Sequence, residues 1–309
     1  MDTLTPHRIQ LLGVEFDNTS LQAAVEQILS RPHGARFAYV VTPNADHIER
    51  LRRIPRLGVV YQNAMLCLLD SQLIGNCAHY LGMAPPNVVT GADLTQALLA
   101  RLDGLRVAVI GMQPDAFAAL ATRYPQIEFL HHNPPMSLLN DAPALHAARD
   151  FARNSQANFT FIALGSPVQE LLAHAISTQS GASGIGLCIG SGLAFCAGTE
   201  RRAPLWMRRR GLEWLHRLIQ DPFRLAGRYL ISDPKVLLAL FIEAFRQKTH
   251  RSRQSRHPRS APAAISASDP CPPASRAPLQ ETPRSSPHGA PRQAPPPAPG
   301  KDYATPPLV

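Results

Sequence analysis

The chain predicts an α/β fold: a Rossmann-like, mostly parallel sheet with helices on both faces. Three observations lead there. Short apolar runs recur from Phe37 to Ile189, and helical stretches of about a dozen residues separate them. The runs are apolar on both sides rather than alternating, as strands buried on both faces must be. Nearly every run ends in a glycine or a polar residue that turns the chain into the next helix, the signature of βαβ units.

In chain order, Arg8 to Phe16 alternates apolar and polar positions and reads as an edge strand. Ser20 suits the cap of a helix over Leu21 to Leu29. Phe37 to Val41 is a buried-strand pattern, and Thr42-Pro43-Asn44 turns it into a helix from Ala45 to about Leu57. Met65 to Leu69 is apolar and ends at Asp70-Ser71, before a helix from Gln72 to Leu81. Pro85-Pro86 breaks that helix, and Thr90-Gly91-Ala92-Asp93 opens another, reaching Leu102. Strands follow over Leu105 to Ile110, Ile127 to Leu130, Phe159 to Leu164 and Gly186 to Ile189. Helices over Pro114 to Arg123, Ala142 to Arg153 and Val168 to Thr178 connect them. Past Gly198 the pattern is helical only, and Pro222 and Pro234 divide it into about three helices. The predicted divisions are a core over 1–199, a basic amphipathic helical appendage over 200–248 and a Pro/Arg/Ser-rich tail over 249–309. Such a tail cannot bury enough apolar surface to fold and is expected to be disordered.

The 309 residues carry a net charge of +9. Charges roughly balance as far as Thr199, then arginine dominates. A basic excess at one end reads as a surface for phosphate, nucleic acid or anionic lipid. The 5 cysteines form no C-x-x-C pair, and Cys67 and Cys188 sit in apolar runs as small buried thiols, consistent with a reducing compartment. There is no secretory leader pattern, and no stretch reaches the roughly 18–20 apolar residues that span a bilayer.

Ligands of open parallel sheets collect at the carboxyl ends of the strands. Thr42 and Asn44, Asp70, Gly111, Gly165 to Gln169 and Gly190 to Gly192 all fall at that edge. Gly165-Ser166-Pro167-Val168-Gln169-Glu170 places a glycine at a helix start, where backbone N–H groups suit an anion; an ordinary βα turn has the same spacing. Gly190-Ser191-Gly192 is a second such turn, or a plain flexible loop. Asp70 is either a helix cap or a general base, and Asp93 suits a cap or a partner of Thr90. Gly111-Met112-Gln113-Pro114 lacks the further glycines of a dinucleotide site, which argues against NAD. No D-x-D or H-E-x-x-H occurs, so no metal is expected. The arginines beside Trp206, Met207, Trp214 and Leu215 fit an interfacial helix on anionic lipid, with a nucleic-acid arm as the competing reading.

These residues resemble the WecG/TagA/CpsF glycosyltransferases, glycosyltransferase family 26, from about Leu11 to Tyr229. The ordered signposts are Thr42-Pro43-Asn44, Asp70, Val89-Thr90-Gly91-Ala92-Asp93-Leu94, Gly165 to Glu170, Gly190 to Phe195, Arg202 to Met207 and Gly211 to Arg217. The resemblance implies an inverting, metal-independent transfer from a UDP-sugar to a polyprenyl-diphosphate-linked saccharide. The sugar would be N-acetylmannosamine-like, its uronate or a hexose. It implies a cytoplasmic enzyme, peripheral to the inner face of the cell membrane and feeding cell-surface polysaccharide synthesis. The C-terminal appendage would contact anionic lipid and complete the active site. Dimers or trimers are open to it, and no nucleic-acid partner or cofactor is implied. Position by position, Asp70 matches the proposed base. Thr42, Asn44 and Gln169 match polar pocket residues, and Arg217, Arg224 and Arg228 match the appendage arginines. Thr90, Asp93, Gly165, Glu170, Gly190, Ser191 and Gly192 complete the expected substrate-binding set. Two positions depart: Ser71 stands where glycine is common, and Val88 where arginine is common, which removes a candidate phosphate or acceptor contact. The rivals are a non-enzymatic nucleotide-binding module with a basic nucleic-acid-binding arm, and an oxidoreductase.

Overall fold

A computed structural model describes residues 7–227, 229–230 and 233–255. Arg228, Cys271 and the predicted tail from 256 onward lie outside the described residues, as does the Arg224 side chain. The chain enters as a hairpin rather than the expected single edge strand. Arg8–Leu11 (β1) pairs antiparallel with Val14–Asp17 (β2). Leu12 (φ 55°) and Gly13 (φ 80°) make the turn, the positive-φ pair that a tight hairpin requires.

Ser20 caps Leu21–Leu29 (α1) by accepting from the Ala23 N–H. Ala38–Val41 (β3) leads through the Asn44 cap into Ala45–Arg53 (α2). That helix stops short of the predicted Leu57, because Ile54 precedes Pro55 and leaves helical geometry at φ −129°, ψ 76°. A 3-10 turn over Pro55–Leu57 and a short helix, Gly58–Gln62 (α3), follow. Leu66–Cys67 (β4) is a two-residue strand, succeeded by Gln72–Tyr80 (α4) and Gly91–Leu99 (α5). Arg106–Gly111 (β5), Pro114–Arg123 (α6), Glu128–His132 (β6), Ala142–Asn154 (α7), Phe159–Ala163 (β7), Val168–Ser177 (α8) and Ile185–Cys188 (β8) repeat the expected alternation. Gly192–Ala197 (α9) is a helix where a flexible loop was the alternative. The appendage contributes Leu205–Arg209 (α10), Glu213–Gln220 (α11) and Pro222–Gly227 (α12). The long helix Asp233–Ser255 (α13) runs past residue 248, where the appendage was expected to end.

Six strands form one parallel sheet in the order β4-β3-β8-β7-β5-β6. Both faces are covered, as the two-sided apolar runs demand. Tyr39, Val41, Ile110, Ile162 and Cys188 face α2, α3, α4, α7 and α8. Val40, Val107, Val109, Phe161 and Leu187 face α1, α5, α6 and α9. The appendage joins the first of these cores: Val236, Ala239, Leu240 and Ala244 of α13 are buried there, against α2 and α4. Glu243 on the same helix accepts the Leu12 N–H at 3.0 Å, tying α13 to the hairpin turn.

One consequence of this topology places the site. Strand β8 lies between β3 and β7. The helices after β3 and β7 go to one face of the sheet, and the helix after β8 goes to the other. The chain therefore parts at the carboxyl end of β8 and leaves a crevice there.

Candidate active site

Asp70 sits at the floor of that crevice. The chain runs from β4 through fully buried Leu68 and Leu69, and the Asp70 N–H donates to Pro43 O at 3.0 Å. The choice between cap and base turns on its neighbour. Ser71, not Asp70, caps α4, accepting the Ile74 N–H at 3.3 Å. The serine that departs from the family pattern therefore has a local job. Asp70 Oδ2 instead accepts the N–H of Gly91, the first residue of α5, at 3.1 Å. A Cβ on Gly91 would lie 2.9 Å from Thr42 Oγ1 and 3.3 Å from Asp70 Oδ2, so only glycine permits this approach. Burial pushes the Asp70 carboxyl up to about 7, aided by Glu213, against the opposing pull of the Gly91 N–H, Arg217 and Arg202.

Two chambers, of about 230 and 250 Å³, share Asn44, Asp70, Ile189, Ser191 and Arg217. The first is roofed by the appendage. Thr90, Asp93, Gly192, Arg202, Arg208, Trp214 and Tyr229 line it. Thr90 caps α5 and exchanges hydrogen bonds with Asp93. Asp93 also receives Arg202 at 2.6 Å and Arg208 at 3.2 Å. Burial works against the Asp93 charge, yet Arg202 and Thr90 hold its carboxyl below the usual carboxylate range. Thr90 and Asp93 thus anchor the appendage to the core, with their polar atoms already engaged.

The second chamber is lined by Thr42, His47, Gly165, Gln169, Gly190 and Glu200 together with the shared residues. Thr42 donates its hydroxyl to Cys188 O at 3.2 Å. The glycine turn departs from expectation. The Gly190 N–H donates to Gln169 Oε1 at 3.0 Å and the Gly192 N–H to Ile189 O at 3.0 Å. Both amides are engaged within the protein, that of Gly190 on α8 and that of Gly192 on its own turn. Glu170, expected among the substrate-binding residues, lines neither chamber and is buried behind the wall. Arg217 spans the junction, donating to Ser191 Oγ, 3.6 Å from Glu200 and 5.3 Å from the Phe195 ring centroid. Val88 lines neither chamber; it packs toward Gly75 on α4.

The structure thus gathers Asp70, Thr42, Asn44, Thr90, Asp93, Gly165, Gln169, Gly190, Ser191, Gly192 and Arg217 around one crevice. His47, Arg202, Arg208 and Trp214 join them without having been assigned to the substrate-binding set. Arg202 and Trp214 lay inside the matched motifs, and His47 stands three residues after the Asn44 cap, the spacing of a capping box. Among the described residues, no three His, Cys, Asp or Glu side chains cluster as metal ligands.

The chain is 25% identical to the N-acetylglucosaminyldiphosphoundecaprenol N-acetyl-beta-D-mannosaminyltransferases of Staphylococcus aureus strains MW2 and COL. Each match runs over 224 residues, 69% of this chain and 85% of the relative. The model of the glycosyl transferase WecG/TagA/CpsF family matches residues 9–250. With that match spanning both the strand-end crevice and the helices that roof it, the chain belongs to the WecG/TagA/CpsF family of glycosyl transferases.

Proposed function

We propose that this chain transfers an N-acetylmannosamine-type sugar from its UDP conjugate to a polyprenyl-diphosphate-linked N-acetylglucosamine, with inversion and without a divalent ion. The carrying observation is the place of Asp70, at the junction of two chambers with its carboxyl poised near neutrality. The second chamber takes the UDP-sugar and the first takes the acceptor. The acceptor hydroxyl oxygen attacks C1 of the donor sugar from the face opposite the UDP. As the new C–O bond forms, the C1–O bond to UDP breaks. The hydroxyl proton passes to Asp70 and the electron pair leaves with the diphosphate. Arg217, at the junction, supplies positive charge to the leaving group, the role a divalent ion would otherwise fill. Two residues of the first chamber, Arg202 and Arg208, turn inward onto Asp93, which supports a substrate site rather than a nucleic-acid arm.

The acceptor's lipid directs this site to a bilayer. No described helix is long and apolar enough to cross one. Leu205, Trp206, Ile219 and Phe223 of the appendage are exposed, as are Leu238, Phe241, Ile242 and Phe245 on the outer side of α13. With exposed Arg201, Arg209 and Arg210 nearby in the chain, this composition suits a helix lying on an anionic membrane surface, here the inner face of the cell membrane.

The test is a transfer assay with UDP-N-acetylmannosamine and a polyprenyl-diphosphate N-acetylglucosamine acceptor, run with and without EDTA. Disaccharide formation that survives EDTA is expected. Activity that disappears with chelator and returns with manganese overturns the metal-free mechanism, and absence of any transfer across a panel of UDP-sugars overturns the reading.

A further inference from the structure

Behind the second chamber runs a line of buried polar groups anchored at both ends by backbone N–H groups. At one end Asn44 Oδ1 accepts from the Asp46 N–H at 3.1 Å, as the cap of α2. His47 Nδ1 lies 2.7 Å from that oxygen and accepts the Asn44 backbone N–H at 3.4 Å, closing the capping box. At the other end Gln169 Oε1 accepts from the Gly190 N–H, which fixes that carboxamide and leaves its Nε2 as donor. Gln169 Nε2 donates to Glu170 Oε1 at 2.7 Å, and His47 Nε2 faces the same oxygen at 3.3 Å. The Gln169 amide donates to this one buried oxygen, and the His47 ring borders it without a hydrogen bond. Burial disfavours the Glu170 charge, yet His47 and the Gln169 amide hold its carboxyl below the usual range.

We propose that Glu170 is a positioning residue for donor binding: its Oε1 orients the Gln169 carboxamide, which in turn holds the Gly190–Ser191 turn against the second chamber. The inference rests on the reading of that chamber as the UDP-sugar side. Ser191, next along the turn, is the residue that Arg217 grips, so a loosened turn shifts the group that meets the leaving diphosphate. Asn44 borders both chambers and contacts His47, whose ring faces the same oxygen. An acceptor oxygen at this place does the work, so glutamine serves there and leucine does not.

The experiment compares Glu170→Leu with Glu170→Gln in steady-state transfer and in calorimetric titration with UDP alone, alongside thermal unfolding. Loss of one buried acceptor predicts that Glu170→Leu raises the donor KM and weakens UDP binding about tenfold, while the acceptor KM stays within about twofold. Glu170→Gln is expected to restore donor KM to within about threefold of the parent chain. If Glu170→Leu does not unfold cooperatively, Glu170→Met carries the test under the same expectation. Unchanged donor KM and UDP affinity in the folded leucine variant, or equal losses for donor and acceptor, overturn the positioning role while leaving the transferase reading intact. A parent chain that neither binds UDP nor transfers sugar overturns both.

Discussion

Asp70 carries two linked expectations. As the proposed base it must be ionised to accept a proton, so kcat/KM is expected to rise with pH through about 7 and level off above it. Asp70→Asn should lower transfer by about 10²–10⁴-fold while the fold persists, measured by initial rates beside circular dichroism. Stability runs the other way. A carboxyl raised from 3.8 to about 7 stabilises the folded state below its unfolded pKa, and that contribution is lost as pH rises through 7. Asp70→Asn should therefore stabilise the protein at pH 8, on the order of 2–4 kcal/mol, and change little at pH 4; equal melting shifts at both pH values would contradict this. Gly91 makes a second residue-scale case. A methyl there meets Thr42 Oγ1 and the Asp70 carboxylate, so Gly91→Ala should cost about 1–3 kcal/mol in urea unfolding and most of the activity.

The elements hold together through a few buried polar clamps. Asp17, at the end of β2, accepts the Cys67 N–H of β4 at 2.8 Å and pairs with Arg8 of β1 at 3.1 Å. It ties the hairpin to the edge of the main sheet and is almost fully buried. Asp17→Ala strands a buried N–H and unpairs the arginine, and should cost about 2–4 kcal/mol in chemical denaturation. Ser71 is a milder case. Its hydroxyl caps α4 at the border of the first chamber, so Ser71→Ala should cost about 1 kcal/mol and Ser71→Gly only a few tenths. Either change leaves the Asp70–Gly91 contact in place, and transfer rates should stay within a small factor of the parent chain.

At the scale of the molecule, the described residues belong to one compact unit that includes the appendage. Removing everything after Gly198 would strip Val236 and Leu240 from the core as well as roofing the first chamber no longer. The membrane role is better tested on the outer face of α13. Leu238, Phe241 and Phe245 are 61%, 57% and 64% exposed. Replacing all three with serine should lower cosedimentation with anionic liposomes by about tenfold or more, with an unchanged melting temperature. Undiminished sedimentation would remove this face from the membrane contact.

Much of this was legible along the chain because the signals are local. Ser20, Asn44 and Thr90 cap the helices their spacing announces, since a cap acts within one turn. The two-sided apolar runs became the sheet, and the polar residues after them gathered at its carboxyl edge. Tertiary structure alone decided which strand ends are neighbours, because parallel pairing is settled by burying both faces across long separations. It set β8 between β3 and β7, which opened the crevice above Asp70. It also spent the Gly190 and Gly192 amides inside the protein, drove Arg202 and Arg208 onto Asp93, and buried Glu170 between His47 and Gln169. Gly190 and Gln169 stand 21 residues apart and Arg202 and Asp93 stand 109 apart, and no local pattern marks a donor whose acceptor arrives from another element.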